Sequence, residues 1–189
     1  MELKAVISEY TNTLATELKN FNWTPVEDLG KDLLEAWRSG ANVFFCGNGG
    51  SAANANHLAN DFIYGVSPKN KRGLNVNSLA SNSAVMTCLG NDEGYGSIYE
   101  KQLNTLGKDG DVLIVLSGSG NSENIINVLR LAKEKKIKTH AILGFDGGVC
   151  KSIADNPIHL CVNDMQIAED FQMIVGHILM KYLAKNEEV

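Results

Sequence analysis

The strongest constraint on the fold is an alternation of short apolar runs with helix-length segments from residue 41 onward. Each run ends in Gly, Asn, Ser or Asp residues, and several are apolar throughout, as is typical of strands that are covered on both faces. The pattern predicts an α/β fold with a five-stranded, mostly parallel sheet flanked by helices. The predicted strands are Val43–Cys46, Leu74–Ala80, Val112–Leu116, Thr139–Leu143 and Ile158–Val162.

Helical patterns precede and follow this region. Thr24–Glu27 matches a capping box with Pro25 at the first helical position, and that helix should end at Gly40. A final helix is predicted from about Met165 to Lys185. We expect one domain over residues 1–189, with a helical pair in 1–40 and the α/β core and last helix in 41–189. The first helix places six apolar residues on one face: Leu3, Val6, Ile7, Tyr10, Leu14 and Leu18.

Charge and composition exclude several classes of function. The net charge is −5 and Lys and Arg do not cluster, which argues against direct nucleic-acid binding. No stretch approaches the ~20 apolar residues of a membrane span, and residues 1–10 lack a secretory pattern. The four cysteines are scattered without a C-x-x-C pair, which suits a reducing compartment. We therefore expect a cytoplasmic protein.

Two glycine-rich loops follow predicted strands and lead into predicted helices. The first is Gly47-Asn48-Gly49-Gly50-Ser51, and the second is Ser117-Gly118-Ser119-Gly120-Asn121-Ser122. Backbone amides and hydroxyls at a helix N-terminus can hold a phosphate, and open α/β sheets bind ligands at the carboxyl ends of their strands. Together the loops predict a phosphate-binding site.

Three other interpretations of these loops fit less well. Gly47-x-Gly49-x-x-Ala52 resembles a dinucleotide fingerprint, but the next predicted strand lacks the acidic residue that would bind a ribose. The absence of G-K-[ST] argues against a nucleoside triphosphatase, and Gly49–Ala53 only half fits a nucleophile elbow. A monophosphate ligand fits best.

Polar residues on two predicted helices could form a metal site. His57 and Asp61 share a helix face, and His177 interrupts an apolar stretch of the last helix. Each pair alone is more often structural, but two histidines plus carboxylates would suit zinc. Spacing does not decide whether Glu169 or Asp170 joins them. His140 and His159, within strand patterns, are interpreted as structural, and the turn at 90–95 as a candidate for hydroxyl recognition.

In this order the motifs resemble the sugar isomerase (SIS) domain, and within it the phosphoheptose isomerase group, over essentially the whole chain. The motifs that carry the resemblance are Cys46–Ala53, His57 with Asp61, Gly90–Asp92, Gly110–Leu113, Ser117–Ser122, Asp146–Gly148 and Gly176–Leu179.

The resemblance implies an aldose-ketose isomerase that converts sedoheptulose 7-phosphate to D-glycero-D-manno-heptose 7-phosphate. It implies a cytoplasmic homotetramer with zinc at sites shared between subunits, active in lipopolysaccharide or capsule biosynthesis. It assigns the phosphate to the loop Ser117, Gly118, Ser119 and Ser122. It assigns sugar contacts to Asn48, Gly49, Gly50, Ser51, Asn91, Asp92 and Glu169.

The resemblance assigns the metal and acid/base cluster to His57, Asp61, Glu169 and His177. We expect Asp61 and His177 to be the acid/base pair, although a metal ligand is a poor free base. Which residues bind metal and which move protons therefore stays open at this point.

Three positions depart from the family pattern. Asp61 replaces a Glu that is one methylene longer, Glu169 replaces a neutral Gln, and Ser117-Gly118-Ser119 replaces Ser-Thr-Ser. Two alternatives remain beside the enzyme. One is a non-catalytic adaptor similar to the replication initiator-associating protein of bacteria, and the other is a phosphosugar sensor that binds without turnover.

Overall fold

The computed structural model describes residues 2–67 and 72–186. The first half of the chain comprises α1 (Leu3–Asn20), α2 (Thr24–Ser39), β1 (Asn42–Gly47), α3 (Gly50–Asn60), a π-helical turn (Asp61–Gly65), β2 (Asn75–Ser78) and α4 (Ser83–Asp92). The second half comprises a 3₁₀ turn (Tyr95–Ser97), α5 (Ile98–Leu106), β3 (Val112–Ser117), α6 (Glu123–Glu134), β4 (Lys138–Leu143), α7 (Gly148–Ile153), β5 (Asn156–His159) and α8 (Met165–Lys185).

The five strands form one sheet in the order β2-β1-β3-β4-β5, and all four pairings are parallel. The predicted α/β fold with a five-stranded sheet is confirmed. The chain order reverses between β1 and β3, because β2 lies on one side of β1 and β3 on the other. Such a switch point leaves a crevice at the carboxyl ends of the two strands, where α/β folds bind their ligands.

Helices cover both faces of this sheet. One apolar layer joins α2, α3 and α8 to the sheet, and the other joins α5, α6 and α7. Every residue of β3 is buried, whereas residues of the edge strand β2 alternate between exposed and buried. The continuous apolar runs predicted for the central strands thus reflect cover on both faces.

Each predicted strand differs from the structure by at least one residue at one end, and the differences are largest for β5. β5 begins at Asn156 and ends at His159, two to three residues earlier than predicted, because its first residues are the polar Asn156 and then Pro157. Pro is tolerated on an edge strand, where its missing N–H faces no partner. The helix predicted after the first glycine loop is α3 followed by the π-helical turn Asp61–Gly65.

The ends of α2 correct one prediction and confirm another. Thr24 is the first helical residue and Trp23 occupies the N-cap, so the predicted capping box is wrong. Instead the side chain of Asn22 accepts the Thr24 N–H at 3.2 Å. Gly40 ends the helix as predicted, with a φ of 71° that favours glycine.

The first helix is only partly covered. None of its residues is fully buried, and Leu3, Val6 and Ile7 are 74%, 44% and 54% exposed. The later part of the same face, at Tyr10, Leu14 and Leu18, packs against the core. An apolar stripe therefore faces outward near the start of the chain.

Within the described ranges, no helix is both long and apolar enough to cross a bilayer.

Candidate functional site

The first glycine loop connects β1 to α3 at the switch point. Gly49 has a φ of +57° at the N-cap of α3, a conformation that L side chains rarely adopt. A side chain at Gly47 would overlap the backbone of Ser51. The hydroxyl of the buried Tyr99 donates to the carbonyl of Gly47, and burial raises the pKa of Tyr99 above its ordinary value. The loop is thus tightly packed on its inner side, while Gly49 and Gly50 stay exposed.

Ser51 ties this loop to the last helix. It is buried, and its hydroxyl accepts a hydrogen bond of 3.0 Å from the side-chain amide of Gln172. Asn54 donates to Gln172 Oε1 at 3.0 Å and to the Glu169 carbonyl at 3.1 Å. Sequence reasoning missed Gln172 and Asn54, although Gln172 was visible as a polar residue in an apolar stretch.

The second loop connects β3 to α6. Ser117 Oγ accepts the Gly120 N–H at 3.0 Å, and Ser119 Oγ accepts the Asn121 N–H at 3.3 Å. Ser122 is the N-cap of α6, but among the described residues its side chain makes no capping hydrogen bond. The first N–H groups of a helix have no partner within the helix. The start of α6 therefore combines these donors with the Ser122 hydroxyl, as an anion site requires.

Gly118, which stands where the family pattern has Thr, lies at a position without room for a side chain. A Cβ at this position would lie 2.5 Å from the sulfur of Met165, the first residue of α8. The methionine thioether thus occupies the space that a side chain at position 118 would need.

A pair of amides joins the two loops. Asn48 and Asn124 exchange hydrogen bonds of 2.9 and 2.8 Å between their carboxamides. The hydroxyl of Tyr95 donates to Asn48 Oδ1 at 3.0 Å. Sequence reasoning found Asn48 but missed Asn124, and it included Tyr95 only as the last residue of the turn at 90–95.

The predicted contacts Asn91 and Asp92 lie at the exposed end of α4. Asn91 donates to Asp92 Oδ1 at 2.7 Å, and the other Asp92 oxygen lies 3.5 Å from Cys88 Sγ. In the described part of the chain these side chains make no hydrogen bond to either glycine loop. The same turn reaches the first loop through Tyr95.

Three of the four predicted cluster residues meet between α3 and α8. Asp61 Oδ2 lies 3.4 Å from His57 Nε2 and 3.6 Å from His177 Nε2, and the two Nε2 atoms are 3.4 Å apart. The side chain of Asp61 is 17% exposed, whereas those of His57 and His177 are 52% and 48% exposed. The carboxylate is therefore shielded, and the histidines face outward.

Close packing of the two helices brings these residues together. Gly176 lies directly against Leu58, so that a side chain at position 176 would overlap the leucine. These two residues immediately precede His177 and follow His57. The π-helical turn begins at Asp61, and such turns frequently occur at functional sites.

The triangle fits a zinc ion. Zinc with bonds of about 2.0–2.1 Å places tetrahedral ligands about 3.3–3.4 Å apart. The three ligand atoms of the triangle lie 3.4 to 3.6 Å from one another. Two imidazoles and one carboxylate are also the donor set of a common class of catalytic zinc site.

Glu169, the fourth ligand that the resemblance implies, is not in this group. Its carboxylate lies against Gly50, where a Cβ at position 50 would overlap it. Eight residues of helix separate Glu169 from His177, which corresponds to about 12 Å along the axis. Asp170, the alternative, accepts a hydrogen bond of 2.6 Å from the Tyr10 hydroxyl on α1.

The remaining histidines have structural partners. His140 is fully buried, with Nδ1 2.9 Å from the side-chain amide of Asn156 and Nε2 3.0 Å from Asp32 Oδ2. His159 Nε2 lies 3.0 Å from the Phe145 carbonyl. Their positions agree with the structural interpretation of both residues.

The SIS domain family matches residues 8–144, which is more than two thirds of the chain. The chain belongs to the SIS domain family. Two curated relatives of this SIS protein are named phosphoheptose isomerase. The Clostridium acetobutylicum relative is 37% identical over 160 residues, which are 85% of this chain and 81% of that protein. The Aliarcobacter butzleri relative is 32% identical over 182 residues, or 95% of each chain.

Solved structures share the fold of this SIS protein. Phosphoheptose isomerase from Neisseria gonorrhoeae aligns with a TM-score of 0.89 at 23% identity, covering 97% of this chain and 100% of that chain. The Francisella tularensis phosphoheptose isomerase aligns with a TM-score of 0.90 at 23% identity, covering 98% and 100%. The match over nearly the whole length includes the N-terminal helices and α8.

Proposed function

We propose that this SIS protein is a phosphoheptose isomerase, which converts sedoheptulose 7-phosphate to D-glycero-D-manno-heptose 7-phosphate. The observation that carries the proposal is the triangle of His57, Asp61 and His177, formed where α3 leads away from the first of two glycine loops at the switch point of the sheet. The names of the relatives, at 32 to 37% identity over most of the chain, support the same activity.

The two loops divide the substrate between them. We assign the phosphate to Ser117, Gly118, Ser119 and Ser122, because hydroxyls and helix amides meet there. We assign the sugar hydroxyls to Asn48, Gly49, Gly50, Ser51, Asn91, Asp92 and Glu169. His57 lies seven residues beyond Gly50, about 10 Å along α3. A ligand that reaches both the loops and the triangle is therefore an extended molecule, such as an open-chain sugar phosphate.

The reaction moves a proton between neighbouring carbons through an enediol. A base removes the proton from the carbon next to the carbonyl, an acid protonates the carbonyl oxygen, and the reverse steps on the other carbon complete the exchange. We assign these steps to Asp61 and His177. Asp61 Oδ2 faces both histidines, whereas Oδ1 lies 3.4 Å from the Asn60 amide and is left for proton transfer.

We propose that zinc is held by Nε2 of His57, Oδ2 of Asp61 and Nε2 of His177, so that the acid/base pair would move protons through the atoms outside the triangle, Asp61 Oδ1 and His177 Nδ1. When bound, zinc would polarise the substrate carbonyl and stabilise negative charge on its oxygen. Glu169 would have to leave Gly50 to reach this position, so we place it on the substrate side. Its negative charge, where relatives of this group have a neutral amide, would then disfavour a second anionic group on the sugar.

We propose a homotetramer, as the resemblance implies, and the uncovered apolar surface supports an assembly of several copies of the chain. The outward apolar residues of α1 and an apolar groove of about 460 Å³ between α2 and α8, lined by Trp23, Ile178 and Tyr182 among others, remain uncovered in the single chain. Half of each cluster histidine is also uncovered, which suits a site that a neighbouring subunit completes. Light scattering of Ile7→Glu should show smaller particles than the wild type, whereas Ser8→Glu, with the same added charge, should not.

We also propose a cytoplasmic location and no direct nucleic-acid partner. We further propose a role in lipopolysaccharide or capsule biosynthesis, since the product is a precursor of surface heptoses.

The triangle favours the enzyme over a non-catalytic adaptor, which would not need ligand atoms gathered within 3.6 Å. A phosphosugar sensor would use the same loops but not the acid/base pair.

The test is turnover of sedoheptulose 7-phosphate by the purified protein, with and without added zinc. The wild type should convert it, and Asp61→Ala and His177→Ala should lose at least about 100-fold in kcat, as expected for general acid/base residues. Asp109→Ala, an exposed carboxylate before β3 at the other end of the sheet, should retain activity. Binding without turnover would favour the sensor, and no binding would favour the adaptor.

A further inference from the structure

The amide pair between the loops has an asymmetric environment. Asn124, in the first turn of α6, is 1% exposed, whereas Asn48 is only half-buried. In a reciprocal pair, each carboxamide uses one N–H and one oxygen lone pair on its partner. One N–H of each amide is then uncommitted within the pair. Because Asn124 is buried, a ligand can reach only the uncommitted N–H of Asn48.

Tyr95 further limits the hydrogen bonds that the Asn48 carboxamide can offer to a ligand. Its hydroxyl donates to Asn48 Oδ1 at 3.0 Å, while the Asn124 amide donates to the same oxygen at 2.8 Å. With both lone pairs engaged, Asn48 can offer a ligand only its N–H. Tyr95 itself is 58% exposed, so its hydroxyl can be removed without creating a buried cavity.

The pair also connects the two halves of the site. Asn48 follows β1 and Asn124 follows β3, and these neighbouring strands are in register from Val43 with Val112 to Gly47 with Leu116. Asn124 is the second residue of α6, the helix whose first amides would bind the phosphate. The position of the phosphate is thus linked by one side chain to the orientation of Asn48.

We propose that Asn124 and Tyr95 are positioning residues that hold the Asn48 carboxamide with its free N–H directed to a hydroxyl oxygen of the phosphosugar. The proposal rests on the proposed function. Asn48 lies at the loop end of the site, about two helical turns from the His57 triangle, so it binds the part of the substrate that does not react. Loss of such a contact raises KM and leaves kcat unchanged.

A double-mutant cycle separates positioning from a general structural role. Asn48→Ala should raise KM for sedoheptulose 7-phosphate about 10-fold, as the loss of one good hydrogen bond allows. If Asn124 acts through Asn48, Asn124→Ala should raise KM similarly, and the double variant should be no worse than Asn48→Ala. Inhibition by inorganic phosphate, which occupies only the phosphate loop, should be unchanged. Multiplicative effects on KM in the double variant would overturn the proposal.

Tyr95→Phe keeps the proposal testable if Asn124→Ala does not fold. It removes one hydroxyl at an exposed position and should raise KM about 3-fold in the wild type but not in Asn48→Ala. Tyr182→Phe, which removes a tyrosine hydroxyl on α8, is the matched control and should leave KM unchanged. An unchanged KM in Tyr95→Phe would contradict the role of Tyr95.

Failure of the proposed function gives a different result. If the wild type binds sedoheptulose 7-phosphate without converting it, the isomerase proposal fails. The double-mutant cycle is then repeated with calorimetry, which measures the dissociation constant of each variant for the sugar phosphate. Non-additive losses would then still support the positioning role, and additive losses would overturn it. If the wild type does not bind the sugar at all, both proposals fail.

Discussion

Gly176 of α8 lies against the side chain of Leu58 of α3 without room for a Cβ between them. The neighbouring residues His177 and His57 thereby come within 3.4 Å of each other through their Nε2 atoms, although 120 residues separate them in the chain. The absence of one side chain sets the spacing of the candidate metal site.

Gly176→Ala should therefore damage the site. The added methyl group must push α8 away from α3 or displace Leu58, and overpacking of this kind costs about 1–3 kcal/mol. We expect a lower free energy of unfolding together with a loss of bound zinc and turnover. Denaturant unfolding and zinc content per protomer measure the two effects.

The matched control is Gly30→Ala, which also adds a methyl group against α8. There the new Cβ would lie 3.3 Å from the end of the Leu179 side chain, which would need to shift by only a few tenths of an ångström, whereas at position 176 it would overlap Leu58. Zinc content should stay at the wild-type level. Equal zinc loss in both variants would show that the position of Gly176 is not special.

Gln172→Leu tests the second tie between α8 and α3. The change leaves the buried Ser51 hydroxyl without its partner and removes one of the two acceptors of the Asn54 amide, which keeps the Glu169 carbonyl. Each unsatisfied buried group costs about 1–3 kcal/mol, so we expect a clear decrease in the free energy of unfolding. Gln166→Leu, at an exposed position of the same helix, should be nearly neutral. A neutral Gln172→Leu would mean that water replaces the lost partner.

Features set by local sequence were predictable. Gly40 ends α2 because a left-handed residue favours glycine, and both glycine loops lie directly after β1 and β3, where the apolar runs stop. α8 has the predicted limits, Met165 to Lys185, because its start and end are both marked by polar residues. The i,i+4 spacing likewise placed His57 beside Asp61.

Contacts between distant segments were not predictable in this way. Whether Glu169, Asp170 or neither reaches His57 depends on how α8 is rotated and shifted against α3. The relative position of the two helices is set by packing at Gly176, and the spacing of polar residues along the sequence does not reveal it. The link from Tyr95 to Asn48 depends in the same way on the path of the turn after α4. The start of β5 was missed because an edge strand can contain a polar residue and a proline.

Acid should weaken the attachment of α2 to the sheet. Nδ1 of His140 lies 2.9 Å from the side-chain amide of Asn156, its Nε2 lies 3.0 Å from Asp32 Oδ2, and Lys138 contacts the same carboxylate at 2.6 Å. Partial burial alone would raise the pKa of Asp32, but the contacts with His140 and Lys138 outweigh it and hold the pKa below its ordinary value.

A lowered pKa in the folded state stabilises the protein above the unfolded pKa, about 3.9 for Asp, and this stabilisation is lost as the pH falls through the folded value. Asp32→Asn should therefore lose about 1–2 kcal/mol at pH 7 and show a weaker loss of stability below pH 4 than the wild type. Denaturant unfolding as a function of pH measures both. Asp28→Asn, which removes an exposed partner of Lys31, should follow the wild-type curve.

Zinc content should depend on the three residues of the triangle and not on Glu169. We expect His57→Ala and Asp61→Ala to lose the metal, because each removes one of three ligand atoms spaced for a tetrahedral ion. Glu169→Gln, which keeps the size of the side chain but removes its charge, should retain the zinc and change KM instead, since its carboxylate lies at Gly50. Elemental analysis of the purified variants after dialysis measures the metal directly, without reference to activity. Zinc loss in Glu169→Gln equal to that in His57→Ala would place Glu169 among the ligands and would require its side chain to leave Gly50 when the metal binds.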